Sequence, residues 1–219
     1  MNQSIPLAHP FRLLLLGKSG SGKTNLLINL LTNDNYYAGY FDRVHYCVPT
    51  LYDDPHWRMV KVGKDAITTT EYSDEWMEAV LEQIETETDE EGELLRHLVV
   101  MDDVGSEQLR HFNMANVLDK LYQNCRWKGR GVSFIISCQM YQSISTCFRH
   151  NADGVVAFGN VGKKVIDHLA EEFSDHDPKE FKSIFKYAVK EDYSFLFIKR
   201  NGPKLTYYKK FNTVLHTNE

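Results

Sequence analysis

The sequence predicts an α/β domain in which a mostly parallel central sheet carries helices on both faces and ends in a C-terminal strand hairpin. Three observations predict it. Apolar runs at residues 13–16 and 98–101 are unbroken and the segment at 132–137 is mostly apolar, the signature of strands buried on both faces. Segments with apolar residues at three- and four-residue steps lie between these runs, so strands and helices alternate. The first run passes directly into a glycine-rich turn and then a helix, the order of a phosphate-binding βα unit.

Taken in order, residues 1–10 carry two prolines and no periodicity and read as an extended N-terminal segment. After the strand at 13–16 come Gly17, Lys18, Ser19, Gly20, Ser21, Gly22, Lys23 and Thr24, followed by Asn25 and by Leu26, Leu27, Leu30 and Leu31 at helical spacing. A triphosphate needs several backbone N–H donors converging on it, and glycines let the chain wrap that closely. The amides and positive dipole end of the following helix complete an anion site. In such a loop Lys23 reaches the β and γ phosphates and the Thr24 hydroxyl ligates Mg²⁺. Residues 43–48 alternate as a second strand closed by Pro49, and a short strand is expected near 59–62. Ser73 reads as the N-cap of a helix over 74–87, with Asp74 and Glu75 in its first turn and Trp76, Met77, Val80, Leu81 and Ile84 on one face. The acids at 89–93 form a loop. The run at 98–101 ends in Asp102 and Asp103, delivering two carboxylates to a strand's C-terminal edge, where open α/β sheets bind ligands. An amphipathic helix is expected over 107–125, a strand at 132–137 ending near Gln139, a short helix around 143–150 and a fifth strand at 154–158. Helices at 163–173 and 178–187 follow, and strands at 193–198 and 205–210 form the closing hairpin.

The chain has 219 residues, enough for one domain with a full core, and residues 11–219 are read as that domain. No apolar run approaches the ~20 residues of a membrane helix, and the run at 13–16 leads into the glycine turn rather than a cleavage site, so a protein that is not secreted is expected. The four cysteines show no CxxC spacing, so neither a disulfide framework nor a zinc site is indicated. The net charge of −5 hides an asymmetry: residues 71–93 hold eleven acids and no Lys or Arg. Without that solvated stretch the remainder is +6, so overall charge does not exclude a DNA-facing surface.

Three strand ends therefore line up: the glycine loop after the first, Asp102 and Asp103 after the third, Gln139 after the fourth. Asp102 is placed to hold Mg²⁺ through its waters, and Asp103 to orient or deprotonate an attacking water. Gln139 is placed to sense the γ-phosphate. Each alone is a weak signal; their order after a phosphate loop is what points to hydrolysis of a bound triphosphate.

The order of these strands resembles the P-loop ATPases that hydrolyse with an acidic residue on an inserted central strand. Within them, the segment from Gly129 and Arg130 through the strand at 132–137 to Gln139, followed by the helix bearing Arg149 and the strand at 154–158, resembles the FtsK and HerA translocase superfamily. The small size and the Asp102–Asp103 pair are most similar to genome-packaging ATPases of large DNA viruses, of the poxvirus type and its nucleocytoplasmic and virophage relatives. The resemblance covers about residues 11–160; residues 161–219 match nothing specific. It implies a homo-oligomeric ring, a hexamer, that spends ATP at subunit interfaces to drive double-stranded DNA through its centre and docks on a capsid or portal-vertex protein, in the host cytoplasm or the virion. It departs from many relatives in having Asp103 where they carry Glu, which leaves Glu107 as an alternative base.

Ring ATPases draw a cation from the neighbouring subunit to stabilise charge on the transferred phosphoryl group. Arg149 and Arg130 are the candidates, with Arg126 third. For DNA the candidates are Lys163 and Lys164, or Lys199, Arg200, Lys204, Lys209 and Lys210 around the closing hairpin with Tyr207 and Tyr208; edge-strand lysines also serve to block aggregation. Two other readings share the glycine loop. A P-loop kinase acting on a nucleotide or other small molecule needs neither a second acid nor a strand-end Gln, and Arg126, Lys128 and Arg130 could form its lid. A non-hydrolysing scaffold would use nucleotide to hold an oligomer, a reading that Asp103 in place of Glu favours.

Overall fold

Strand β1, Arg12–Leu16, sits near the middle of the sheet because its leucines have two cores to fill. Leu14 and Leu16 enter one and Leu13 and Leu15 the other, all at most 1% exposed. The computed structural model describes residues 5–103, 117–125, 131–174, 177–201 and 204–215. Within them the strands are β1, β2 (Arg43–Cys47), β3 (Thr68–Thr69), β4 (His97–Met101), β5 (Val132–Cys138), β6 (Gly154–Phe158), β7 (Phe195–Asn201), β8 (Lys204–Lys209) and β9 (Thr213–Leu215). Across the sheet they run β3-β2-β4-β5-β1-β6-β7-β8-β9. The first six are parallel and the last three antiparallel, so the sheet is mostly parallel, as the continuous apolar runs predict.

β5 lies between the loop strand and the acid strand, pairing Cys138 with Leu16 on one side and Ile136 with Met101 on the other. This is the inserted central strand that the family resemblance implied. The same alternation repeats along the sheet: Val99, Met101, Phe134 and Ile136 face one core, Leu98, Val100 and Ile135 the other. Helices α2 (Asp74–Thr86), α3 (Val117–Gln123), α4 (Thr146–Asn151), α5 (Lys163–Glu172) and α6 (Pro178–Ala188) contribute to the first core, and α1 (Lys23–Thr32) to the second. Ser73 caps α2 by accepting from Trp76 N–H at 3.1 Å, with Asp74 and Glu75 in the first turn, as its sequence predicts.

Two expectations change. No strand forms at 59–62: Asp54 accepts from His56 N–H, and Pro55–Met59 makes a 3-10 turn that buries Trp57. The short parallel strand is Thr68–Thr69 instead, beside β2. The closing hairpin gains a third strand, because the chain turns at Lys210 with φ 56° and β9 pairs back on β8, leaving β9 at that edge. Phe211 in this turn packs on Phe195 and Phe197. Of the helix expected over 107–125, Val117–Gln123 is helical and residues 107–116 lie outside the described set. The N-terminal segment is tethered: Leu7 is buried, its N–H donates to the Tyr37 hydroxyl at 3.0 Å, and that hydroxyl donates to the Leu7 carbonyl at 2.8 Å. No helix among the described residues is long and apolar enough to cross a membrane.

Candidate nucleotide site

The strands β1, β4 and β5 end on the same edge, and the site is assembled there. The turn after β1 is held by Gly17 N–H donating to the Cys138 carbonyl at 3.3 Å, which fastens the loop to the end of β5. Gly17 has no room for a side chain: a Cβ there would lie 2.4 Å from Ser21 Oγ. Gly22 occupies the N-cap of α1 at φ 97°, a left-handed conformation that costs a residue with a Cβ. With glycine at the cap, no side chain bonds the first-turn amides of α1, and no acid stands in that turn. Those N–H groups and the helix dipole are left for an anion.

Lys23 is 6% exposed, and its ammonium donates to the Lys18 carbonyl at 3.3 Å, its one hydrogen bond among the described residues. Burial of a cation with so little compensation is costly unless an anion completes the site. The Thr24 hydroxyl donates to Asp102 Oδ2 at 2.8 Å, joining α1 to the end of β4 across 78 residues of chain. Asp102 is 3% exposed; neither its Oδ1 nor the buried Ser137 hydroxyl on β5 makes a hydrogen bond of good geometry, although that hydroxyl lies near enough to act on the carboxyl. Burial holds the Asp102 carboxyl above its ordinary range; the Ser137 and Thr24 hydroxyls and the Lys23 ammonium pull it down, and Asp103 pushes it further up. A buried carboxylate oxygen without a partner, beside a threonine hydroxyl, is an all-oxygen donor set suited to Mg²⁺ with water and phosphate filling the other positions.

Asp103 faces solvent with φ 52°, a strained conformation of the kind that clusters at functional sites. The Gln139 side-chain amide donates to both of its oxygens, at 2.9 and 2.7 Å. Thus the structure brings together the loop residues Gly17, Lys18, Ser19, Gly20, Ser21, Gly22, Lys23 and Thr24 with Asp102, and Asp103 with Gln139, on one edge of the sheet. Asn25 is exposed in the first turn of α1.

Arg149 is placed elsewhere. It sits in α4, pairs with Glu172 at the end of α5, donates to Thr146 Oγ1 at 3.2 Å and lies over the Tyr141 ring at 4.9 Å. Glu172 also accepts from the Tyr141 hydroxyl, so Arg149 is tied to the end of α5 and to the turn after β5 rather than to the loop. Arg130, Arg126 and Glu107 lie outside the described residues. Of the hairpin cations, Lys209 is bound to Glu191 at 2.6 Å and Arg200 lies over Phe173 and donates to the His150 carbonyl, while Lys163, Lys164, Lys204 and Lys210 are exposed.

One contact to the loop is missing from the sequence reading. Asn160, two residues past β6, accepts the Lys18 N–H through its Oδ1 at 3.1 Å. The signal was available: β6 neighbours β1, so its C-terminal end must also face the loop.

Comparison with known proteins agrees with this geometry. The fold is similar to the genome packaging NTPase B204 of Sulfolobus turreted icosahedral virus 2, solved in complex with ATP-gammaS, at TM-score 0.64 and 13% identity over 92% of this chain and 98% of that one. The DNA-packaging ATPase B204 of Sulfolobus turreted icosahedral virus superposes with TM-score 0.64 and 13% identity over 96% of this chain and 99% of that one. The cytoplasmic domain of the Type VII secretion ATPase EccC of Thermomonospora curvata gives 0.51 at 14% identity, over 93% of this chain and 24% of that one. At these identities the likeness concerns the fold, that of P-loop NTPases. No curated protein matches the chain in sequence. A protein family does: the match to the family described as Poxvirus A32 protein runs over residues 2–199, across the loop, both acids, Gln139 and Arg149, and the chain belongs to that family.

Proposed function

We propose that this chain is an ATP-driven translocase of double-stranded DNA that packages a viral genome into its capsid, acting as a homo-oligomeric ring, a hexamer, in the host cytoplasm or the virion. The observation that carries the reading is the 2.8 Å bond from Thr24 to Asp102, with the Asp103–Gln139 couple following on the same strand ends. A nucleotide-binding turn needs only the loop; an acid pair with a strand-end glutamine adds what hydrolysis requires. Family membership and a fold shared with packaging NTPases, one of them solved with ATP-gammaS, support the same reading.

In this mechanism the loop amides and Lys23 bind the phosphates, and Thr24, with Asp102 through water, holds Mg²⁺, which supplies charge neutralisation on the phosphates. Asp103 orients the attacking water and takes its proton. Gln139 fixes the Asp103 carboxylate by donating to both oxygens, so it positions the base and would register the loss of the γ-phosphate. Arg149, paired with Glu172 and not with its own loop, is the candidate cation for the next subunit, with Arg130 as the other candidate. A capsid or portal-vertex protein supplies the dock, and the exposed lysines the DNA contacts.

The test is phosphate release by the full chain with and without long duplex DNA. Stimulation by DNA is expected, and mixing Arg149→Ala with Lys23→Ala subunits should restore hydrolysis at mixed interfaces. Hydrolysis indifferent to DNA, or none at all, would overturn the motor.

A further inference from the structure

A cavity of about 470 Å³ opens beside the phosphate loop and shares Gly20 and Ser21 with it. Its other walls are the turn after β6, with Gly159 and Asn160, and the turn between α6 and β7, with Glu191, Asp192, Tyr193 and Ser194. Its lining has two carboxylates and, among the described residues, no lysine or arginine. A phosphate is therefore disfavoured in it, whereas a neutral group with hydroxyl donors is not.

Tyr193 is the unusual member. At 72% exposure it is the most exposed large apolar side chain among the described residues. Its backbone has φ 56°, a conformation that bulky side chains rarely adopt. Neither fact serves the fold, since an exposed ring returns little packing for a strained backbone. The strain aims the ring at the loop: a Cβ on Gly22 would lie 3.3 Å from Tyr193 Cδ1. The turn is also braced from outside, because Glu191 is fixed by Lys209 of β8 at 2.6 Å, and Ser194 N–H donates to the Glu191 carbonyl at 3.1 Å. Ser194 is 2% exposed and its hydroxyl lacks a partner in the cavity wall.

We infer that this cavity is the nucleoside subsite: the base of a nucleoside triphosphate stacks on Tyr193, and Asp192 accepts from the ribose hydroxyls. The inference rests on the proposed binding of the triphosphate to the adjoining loop. Base–aromatic stacking tolerates any base, so Tyr193 supplies affinity for the nucleoside half of the ligand.

The test measures dissociation constants of ATP and of inorganic tripolyphosphate, each with Mg²⁺, for the full chain and for Tyr193→Gly, Tyr193→Phe and Lys23→Ala. Glycine suits the left-handed backbone, so the ligand-free Tyr193→Gly protein should melt no lower than wild type. It should bind ATP at least about fivefold more weakly, the lower bound of a stacking contribution, while its tripolyphosphate affinity stays within about twofold. Tyr193→Phe should bind ATP like wild type. Wild-type ATP affinity in Tyr193→Gly, or an equal loss for ATP and tripolyphosphate, would overturn the subsite. If Lys23→Ala left both ligands bound as in wild type, the phosphate-loop reading itself would fail, and the subsite with it.

Discussion

One buried cation stands at the start of β1 and another past its end, and the two are treated in opposite ways. Arg12, at the start of the strand, is 8% exposed and well paired: its backbone N–H and Nε donate to Asp153 Oδ2 at 2.9 and 3.0 Å, Nη2 to Asp153 Oδ1 at 3.2 Å, and Nη1 to the Tyr122 carbonyl at 3.4 Å. Lys23, past the other end, is buried as deeply but holds a single carbonyl, and Asp102 beside it keeps an oxygen without a partner. A satisfied buried pair specifies and holds the fold, whereas an unsatisfied one is tolerated where a ligand completes it. One end of β1 is built for structure and the other for binding.

The comparison breaks first if the Arg12 end proves dispensable. Asp153→Ala leaves a guanidinium buried without its carboxylate, at a cost of about 3–5 kcal/mol, which in a chain of this size lowers the melting temperature on the order of 10 °C. Tripolyphosphate affinity of the folded fraction should be unchanged, because the altered residue is at the opposite edge. Thermal melting and calorimetric titration check both; an unchanged melting temperature would mean that the pair does not hold β1 to β6.

The Lys23 end should behave in reverse. On the proposed function Lys23→Ala removes the donor to the phosphates, and hydrolysis should fall about 10²–10³-fold. Its melting temperature should match or exceed that of wild type, since a poorly compensated buried ammonium is gone. A large drop in stability would show that Lys23 belongs to the structural class after all.

The two ends also differ in how readily the sequence discloses them. The loop end is local: Gly17 to Thr24 are contiguous, and Asp102, Asp103 and Gln139 each close an apolar run, so strand order and the parallel edge follow from pattern alone. The Arg12–Asp153 pair spans 141 residues and leaves no periodicity to read, and Asp153 looks like a turn residue before a strand. The same applies to Arg149, an isolated arginine in sequence but one paired with Glu172, 23 residues further along the chain. Tyr193 reads as the first residue of a strand because aromatics favour strands; the structure puts it in a turn, since Ser194 N–H bonds back to the Glu191 carbonyl and β7 begins at Phe195. β9 has three residues, too few for alternation to show.

The subtlest test concerns the pH dependence that each end lends to the ligand-free protein. Asp102 has its carboxyl raised by burial, so between its ordinary and its raised pKa the folded state binds the proton that the unfolded state has lost, and its contribution to stability falls as pH rises through that window. The buried histidines act oppositely. Burial pushes His45 down to about 3 and His97 to about 4, so the unfolded chain takes up their protons first and stability falls on acidification from pH 6.5 toward 4. Comparing wild type with Asp102→Asn cancels the histidine contribution and isolates the carboxylate. The variant's amide keeps an oxygen for the Thr24 hydroxyl and offers N–H to the nearby Ser137 hydroxyl. It should therefore melt a few degrees above wild type at pH 7, and the gap should close toward pH 4. Mg²⁺ with tripolyphosphate should reverse the order at pH 7 by stabilising wild type alone. A gap that stayed constant with pH would mean that Asp102 is as well solvated or as well paired as Asp153, and the contrast between the two ends of β1 would lose its electrostatic basis.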